Sequence, residues 1–198
     1  MSLSDNTKRL LAETLEEMMR HRSLRDIRIQ EVCEAAGVTR QTFYYHFKDK
    51  YDLVAWIYLQ DQLRAYKETV GDGVLYSETV EPGVYAAQMR RQLELIQERR
   101  AFYRNALKEE NQNSLIESML DNTVGSSFKE LQDILGTKDL SRPLQDAVRF
   151  YYYGMNSLIR DWILGDLDRS IDELVEYHVD MMPKIMSIAY IKGKDIGA

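Results

Sequence analysis

The chain has 198 residues, 44% of them hydrophobic and 29% charged, with 10 Gly, 3 Pro and one Cys. That composition is globular, and it is too poor in Pro and Gly for collagen-like, low-complexity or loop-rich β chains. The lone Cys33 excludes an internal disulfide, and no apolar run has the length of a membrane span. Met1-Ser2-Leu3-Ser4-Asp5 lacks the basic start and apolar core of a secretory leader, so the expectation is a cytoplasmic protein without membrane contact.

The net charge of −6 is carried by residues 61–198, whereas residues 1–60 are balanced. Residues 20–50 hold seven basic against four acidic side chains. This permits a polyanionic partner near the N-terminal end and disfavours one elsewhere, although ordinary scatter of surface charge gives the same counts.

In chain order, Leu11, Leu15, Met18 and Met19 form the stripe of a first helix, with candidate caps at Ser4, Asp5 or Asn6. A short second helix fits Ile29 to Ala36 and is broken by Gly37. Thr39 is a suitable N-cap for a third, Arg40 to Phe47. Asp49, with Asp52 three residues on, starts a fourth, which runs through Trp56 and Leu63 to Gly71. Residues 71–82 form the clearest linker, and Pro82 suits the first turn of a fifth helix. A short helix over 100–110, a break at Asn111–Ser114, a helix from Leu115 to Leu135, another from Ser141 and Pro143 to Gly165, and a last one over 171–191 complete the series. Ser170 and Glu173 form a capping box for that last helix, and the tail from Gly193 is expected to fray. The architecture is all-α with about nine helices: a three-helix part over 1–50 and a larger helical part over 51–198, with 51–71 as the connecting helix.

Residues 28–50 place two short helices around a tight turn, the helix-turn-helix arrangement. Cys33, four residues before Gly37, is a small core residue that allows close helix approach. In the third predicted helix, Phe43 and Phe47 share one face and anchor it to a core. Gln41 and Tyr45 then lie on the opposite side, flanked by Thr42 and Tyr44, with Arg40 at the helix start. Arg, Gln and Thr match base edges, and Tyr hydroxyls suit phosphates. Lys48 and Lys50 bracket the start of the fourth helix, where amides and a lysine together suit a phosphate. These features point to double-stranded DNA as the partner.

The run Gly37-Val38-Thr39-Arg40-Gln41-Thr42-Phe43-Tyr44-Tyr45-His46-Phe47-Lys48-Asp49-Lys50-Tyr51-Asp52-Leu53 resembles the DNA-binding signature of the TetR family of bacterial transcriptional regulators. The likeness covers roughly residues 7–60. It implies that Thr39, Arg40, Gln41, Thr42, Tyr44, Tyr45 and His46 face DNA, that Lys50 contacts phosphate, and that Arg28 and Gln30 meet the backbone. For His46, a wedge between helices is the alternative role. Arg40–Tyr44 followed by Leu53–Ile57 is also similar to regulators of dihydroxyacetone-kinase operons. The family's usual mode implies a repressor on a palindromic operator, released by a small-molecule effector. A regulator or activator whose C-terminal domain binds a partner protein is the alternative.

The two closing helices carry more apolar positions than one stripe needs, so each calls for a second apolar neighbour. The resemblance implies a four-helix homodimer interface, for which Ile159, Trp162, Val175, Val179, Met182 and Met186 are the candidates. Two-fold symmetry sets two recognition helices about 34 Å apart, as a palindrome requires. Tyr85, Met89, Tyr103, Tyr152 and Met155 are effector-cavity candidates among residues that also suit plain core, and Arg104, Arg149 or Arg160 could offer charge to an anionic ligand. His21 and His178 have no paired ligands at metal spacing and are expected at the surface or an interface. No phosphate loop, metal motif or nucleophile elbow is present; Glu109–Glu110 and Asp166/Asp168 lie at helix ends as capping or solvated charge, so neither an enzyme nor a cofactor is expected.

Overall fold

Apolar residues recur every three or four positions along most of the chain. In the computed structural model, which describes residues 3–71, 82–108 and 115–195, each such stretch is a helix. The described residues form α1 (Leu3–Met19), a 3₁₀ turn (Leu24–Asp26), α2 (Ile29–Ala35), α3 (Arg40–His46), α4 (Lys50–Thr69) and α5 (Pro82–Glu98). They continue as α6 (Arg100–Leu107), α7 (Leu115–Leu135), α8 (Arg142–Leu164) and α9 (Ile171–Asp195). The fold is therefore all-α, as expected. The 3₁₀ turn escaped the sequence pattern, and α9 continues beyond the predicted fraying point at Gly193. Most of the predicted 71–82 linker, Glu109–Glu110 and the Asn111–Ser114 break lie outside the described residues.

Local chemistry explains the sharp corners. At the end of α2 the Val38 amide donates to the Cys33 carbonyl (2.9 Å) and the Gly37 amide to that of Glu34 (3.2 Å). This paired closure needs a left-handed residue, and Gly37 has φ +66°. Thr39 then caps α3 by accepting from the Thr42 amide at 3.1 Å. Asp49 caps α4 through the Tyr51 and Asp52 amides, and Asp52 reaches back to the Lys48 amide at 2.9 Å. The Ser170–Glu173 box forms in both directions, at 2.8 and 3.2 Å.

One apolar cluster runs the length of the molecule. It begins with Leu11, Leu15, Leu24 and Val32 around Phe43 and Phe47, passes through Leu53 and Ile57, and ends at Met155, Trp162 and Val175. Truncating either phenylalanine to Ala would cost about 3–5 kcal/mol. Cys33 is buried in this core, as its small size suggested, and burial pushes its thiol pKa up. The short α6 joins the two ends of the cluster with polar clamps. Asn105 donates to the carbonyls of Met19 and Arg22 and accepts from the Leu24 amide. Arg99, immediately before α6, holds Asp61 of α4 by two bonds from Nη1 (2.7 and 2.6 Å) and pairs with Glu16 of α1. Arg100 donates to the Trp162 and Ile163 carbonyls at the end of α8.

α8 and α9 pack against one another, and α9 also meets α5. Their inner faces are not the ones expected. Ile159, Trp162 and Val175, assigned from the sequence to a dimer interface, are only 4, 4 and 5% exposed within one subunit. The Trp162 indole donates to the Arg169 carbonyl at 3.0 Å. Val179 and Met182 are half-buried against the same core, and the Met186 side chain lies outside the described residues. The outward apolar stripe of α8 is instead Phe150 and Tyr153, 77 and 51% exposed, followed on the same face by Gly154 and Ser157. Tyr177 of α9 is also exposed. Helical periodicity separates two stripes but does not say which one faces the subunit's own core.

Candidate nucleic-acid interface and internal cavity

α3 is fastened from below by Phe43 and Phe47, 0 and 3% exposed, the latter edge-on to the Trp56 ring at 5.9 Å. Everything on the far side therefore points away from the core. Tyr45 is 82% exposed and Tyr44 is 49% exposed, while Thr39, Arg40 and Gln41 are also exposed. Thr42 is half-buried and shares a 2.8 Å hydrogen bond between its hydroxyl and that of Thr39. The Arg40 guanidinium lies 5.8 Å from the centre of the Tyr44 ring. His46 is half-buried, its ring edge-on to Tyr45 at 4.9 Å and 6.3 Å from Phe47, between outer face and core.

Around this helix Arg28, Gln30 and Lys48 are exposed, and Gln30 donates to Glu34 at 2.8 Å. Glu31 is turned away into a pair with Arg22 (2.8 Å), which holds its carboxyl down at about 2. Neither Arg40 nor Lys48 is ion-paired among the described residues.

The expected phosphate cradle at the start of α4 takes another form. The Lys50 ammonium donates to the carbonyls of Leu24, Arg25 and Ile27 at 2.6, 2.8 and 2.9 Å. Its three protons close the end of the 3₁₀ turn, adding a second donor to the Leu24 carbonyl that the Ile27 amide already reaches at 3.3 Å. The amides of Lys48, Tyr51 and Asp52 are already bonded to Asp49 and Asp52. In this arrangement Lys50 positions α4 beneath α3, and Lys48 is the lysine turned outward.

A cavity of about 420 Å³ lies between α4, α5, α7, α8 and α9. The candidates Tyr85, Met89, Tyr152 and Met155 line it, but Tyr103 does not. Tyr103 is fully buried, and its hydroxyl donates to Asp61. Arg104, Arg149 and Arg160 are also absent from the lining; Arg149 lies over the Phe128 ring and Arg160 bonds Asp161. Sequence reasoning missed Tyr58, Gln92, Glu130 and the polar row Asn122, Thr123, Ser126 and Ser127 on α7. The spacing of that row was the available signal, since it marks one helix face. The Tyr58 ring at the cavity wall stands edge-on to Tyr103 at 6.4 Å, and through Asp61 and Arg99 this leads to Glu16 on α1.

His178, expected near the surface, is buried in the cavity wall with Nδ1 2.5 Å from the Tyr151 hydroxyl. Burial pushes its pKa down from 6.5 to about 4. The unfolded chain therefore binds this proton more readily than the folded one. The contribution is complete above pH 6.5 and is lost as pH falls towards about 4. It amounts to about 3 kcal/mol. Glu16 and Glu130, whose carboxyls burial raises, act in the opposite direction. Urea midpoints of the wild type and His178→Gln should therefore converge as pH falls from 6.5 to 4. A constant gap between them would contradict a neutral buried histidine.

Comparison with known proteins gives two family matches, one in each part of the chain. Residues 11–57 match the family described as "Bacterial regulatory proteins, tetR family", and residues 86–184 match a "Transcriptional regulator C-terminal region". A curated protein of Lactococcus lactis subsp. lactis (strain IL1403), the HTH-type dhaKLM operon transcriptional activator DhaS, is 28% identical over 61 residues. That stretch is 31% of this chain and 33% of the relative, so the likeness spans about a third of its length. Among solved structures, a tetR-family transcriptional regulator from Streptomyces coelicolor superposes with a TM-score of 0.60 at 15% identity, covering 100% of this chain and 87% of the other. The dihydroxyacetone kinase operon activator DhaS superposes with a TM-score of 0.55 at 15% identity, covering 92% and 97%. At that identity the structural likeness concerns the fold.

Proposed function

The chain belongs to the tetR family of bacterial regulatory proteins and is a transcriptional regulator of that type; from that premise we propose that it binds a palindromic operator as a homodimer and is released by a small molecule. The observation that carries this reading is Tyr45, 82% exposed on a helix whose other face is locked by Phe43 and Phe47. With Arg40, Gln41 and Tyr44 beside it and no acidic residue on α3, this face suits a DNA groove. Thr39, Thr42, His46, Arg28, Gln30 and Lys48 form its border, where contacts to the phosphate backbone belong. Residues 1–50 act as the head and 51–198 as the regulatory and dimerisation part, with α4 as the connection, in a cytoplasmic protein.

The dimer is formed by the outward stripe of Phe150, Tyr153, Gly154 and Ser157 with Tyr177, because an exposed aromatic stripe with small residues lets a two-fold partner approach closely. The effector occupies the cavity, and the Tyr58–Tyr103–Asp61–Arg99–Glu16 series connects it to α1. A ligand changes operator affinity only in so far as it prefers one arrangement of the heads. Repression by occupying the operator is the mode proposed. Activation through a partner protein is the second reading; DhaS, to which the chain is similar, is named as an activator.

Selection of duplexes from a random pool tests the proposal. The wild type should enrich two inverted half-sites about 10 bp apart, or a multiple of that spacing. Phe150→Glu with Tyr153→Glu should sediment as a folded monomer and lose the coupling between half-sites. Absence of any enriched sequence, or an intact dimer in the double variant, would refute the corresponding part. A reporter gene placed behind the selected operator separates repression from activation.

A further inference from the structure

We propose that the cavity takes a small organic cation with an apolar body, its charge held by Glu130 between Tyr85 and Tyr152; this rests on reading the cavity as the effector site. Twenty of the described residues line the cavity, and none of these is Lys or Arg. The remaining nitrogen base, His178, is kept neutral by burial. An anion there would lose its hydration without meeting a counter-charge. Among the described residues the single carboxyl in the lining is Glu130, which is half-buried and has no ion pair there. The Tyr85 hydroxyl donates to it, and Tyr152 is near enough for the carboxylate to raise the tyrosine's pKa further. Burial raises the pKa of Glu130 itself, and a bound cation would return it to the charged form.

The rest of the wall fits the body of such a ligand. Four tyrosines, Tyr58, Tyr66, Tyr85 and Tyr152, contribute aromatic surface, and ring faces attract organic cations. Met89, Met155 and Ile159 supply apolar surface. The Gln62 side-chain amide lies in the wall beside Tyr58 and suits a carbonyl, hydroxyl or ether on the ligand. The volume of about 420 Å³ is that of a drug-sized pocket.

The test uses three probes that share one body and differ in charge: biphenylmethylamine, biphenylmethanol and biphenylcarboxylate. Each is titrated calorimetrically into the full-length protein. The amine should bind about tenfold tighter than the alcohol, and the carboxylate weakest. Glu130→Gln should remove the amine's advantage while leaving the alcohol's affinity unchanged, which also shows that the variant is folded. The proposal is overturned if the amine does not bind, if the carboxylate binds as tightly as the amine, or if Glu130→Gln leaves the amine's advantage intact. Operator affinity, followed by anisotropy with and without the amine, tests the release reading separately. Amine binding that depends on Glu130 and is blocked by Met155→Trp, with operator affinity unchanged, upholds the ligand class and refutes release.

Discussion

Replacing Arg99 with methionine should lower the unfolding free energy by about 3–5 kcal/mol, the range for removing one partner from a buried ion pair. Asp61 is 6% exposed, and both its oxygens accept from Arg99 Nη1 at 2.7 and 2.6 Å. Glu16 reaches the same guanidinium, and Tyr103 donates to the same carboxylate. Without Arg99 two carboxyls would share a half-dry site with no cation, so at least one must take up a proton or the site must open. A double variant, Asp61→Leu with Arg99→Met, should recover more than half of the loss, since the buried carboxylate leaves with its cation and only the partly exposed Glu16 remains to meet water or take up a proton. Urea unfolding followed by circular dichroism measures both. A loss below about 1 kcal/mol in the single variant would match an exposed pair and contradict the buried network. Because this network joins α1 to α4 and α6, Arg99→Met should also weaken operator binding, although Arg99 lies outside the α3 face.

Tyr45→Ala should weaken binding to the selected operator by about 1–3 kcal/mol, the magnitude of one good groove contact, with little change in salt dependence. Lys48→Ala should weaken all duplexes alike and reduce the slope of log affinity against log salt by about one. Lys50→Ala should behave differently from both. Its ammonium is engaged by the Leu24, Arg25 and Ile27 carbonyls, so the expected loss is in stability, with the salt slope preserved. Fluorescence anisotropy across a salt series separates the three. Equal, salt-dependent losses for Tyr45→Ala and Lys50→Ala would reverse the roles given to them.

Features governed by neighbours in sequence could be read without coordinates. Phe43 and Phe47 are four residues apart, Gly37 follows a short helix, Thr39 precedes α3, and Ser170 stands three residues before Glu173; each is a local rule that the fold obeys. What was missed depends on contacts between distant segments. The three carbonyls around Lys50 come from residues more than twenty positions earlier. Tyr103 resembled a cavity aromatic until Asp61, 42 residues away, took its hydroxyl. On α8 the surplus of apolar positions placed Trp162 at an interface, yet it fills the subunit's core while Phe150 and Tyr153 face outward. On α7, Asn122, Thr123, Ser126 and Ser127 had the composition of a solvated face, yet they line a cavity. The pattern fixes which residues share a face, and only the packing of other helices decides what that face meets.

In the proposed function, the exposed side of α3 determines which DNA the protein binds. The most direct test is duplex selection with Gln41→Ala beside the wild type. Gln41 is exposed on that side, and glutamine pairs with adenine through two hydrogen bonds. The variant should lose base preference at one symmetry-related pair of positions and keep it elsewhere. An unchanged preference at every position would contradict this role of α3.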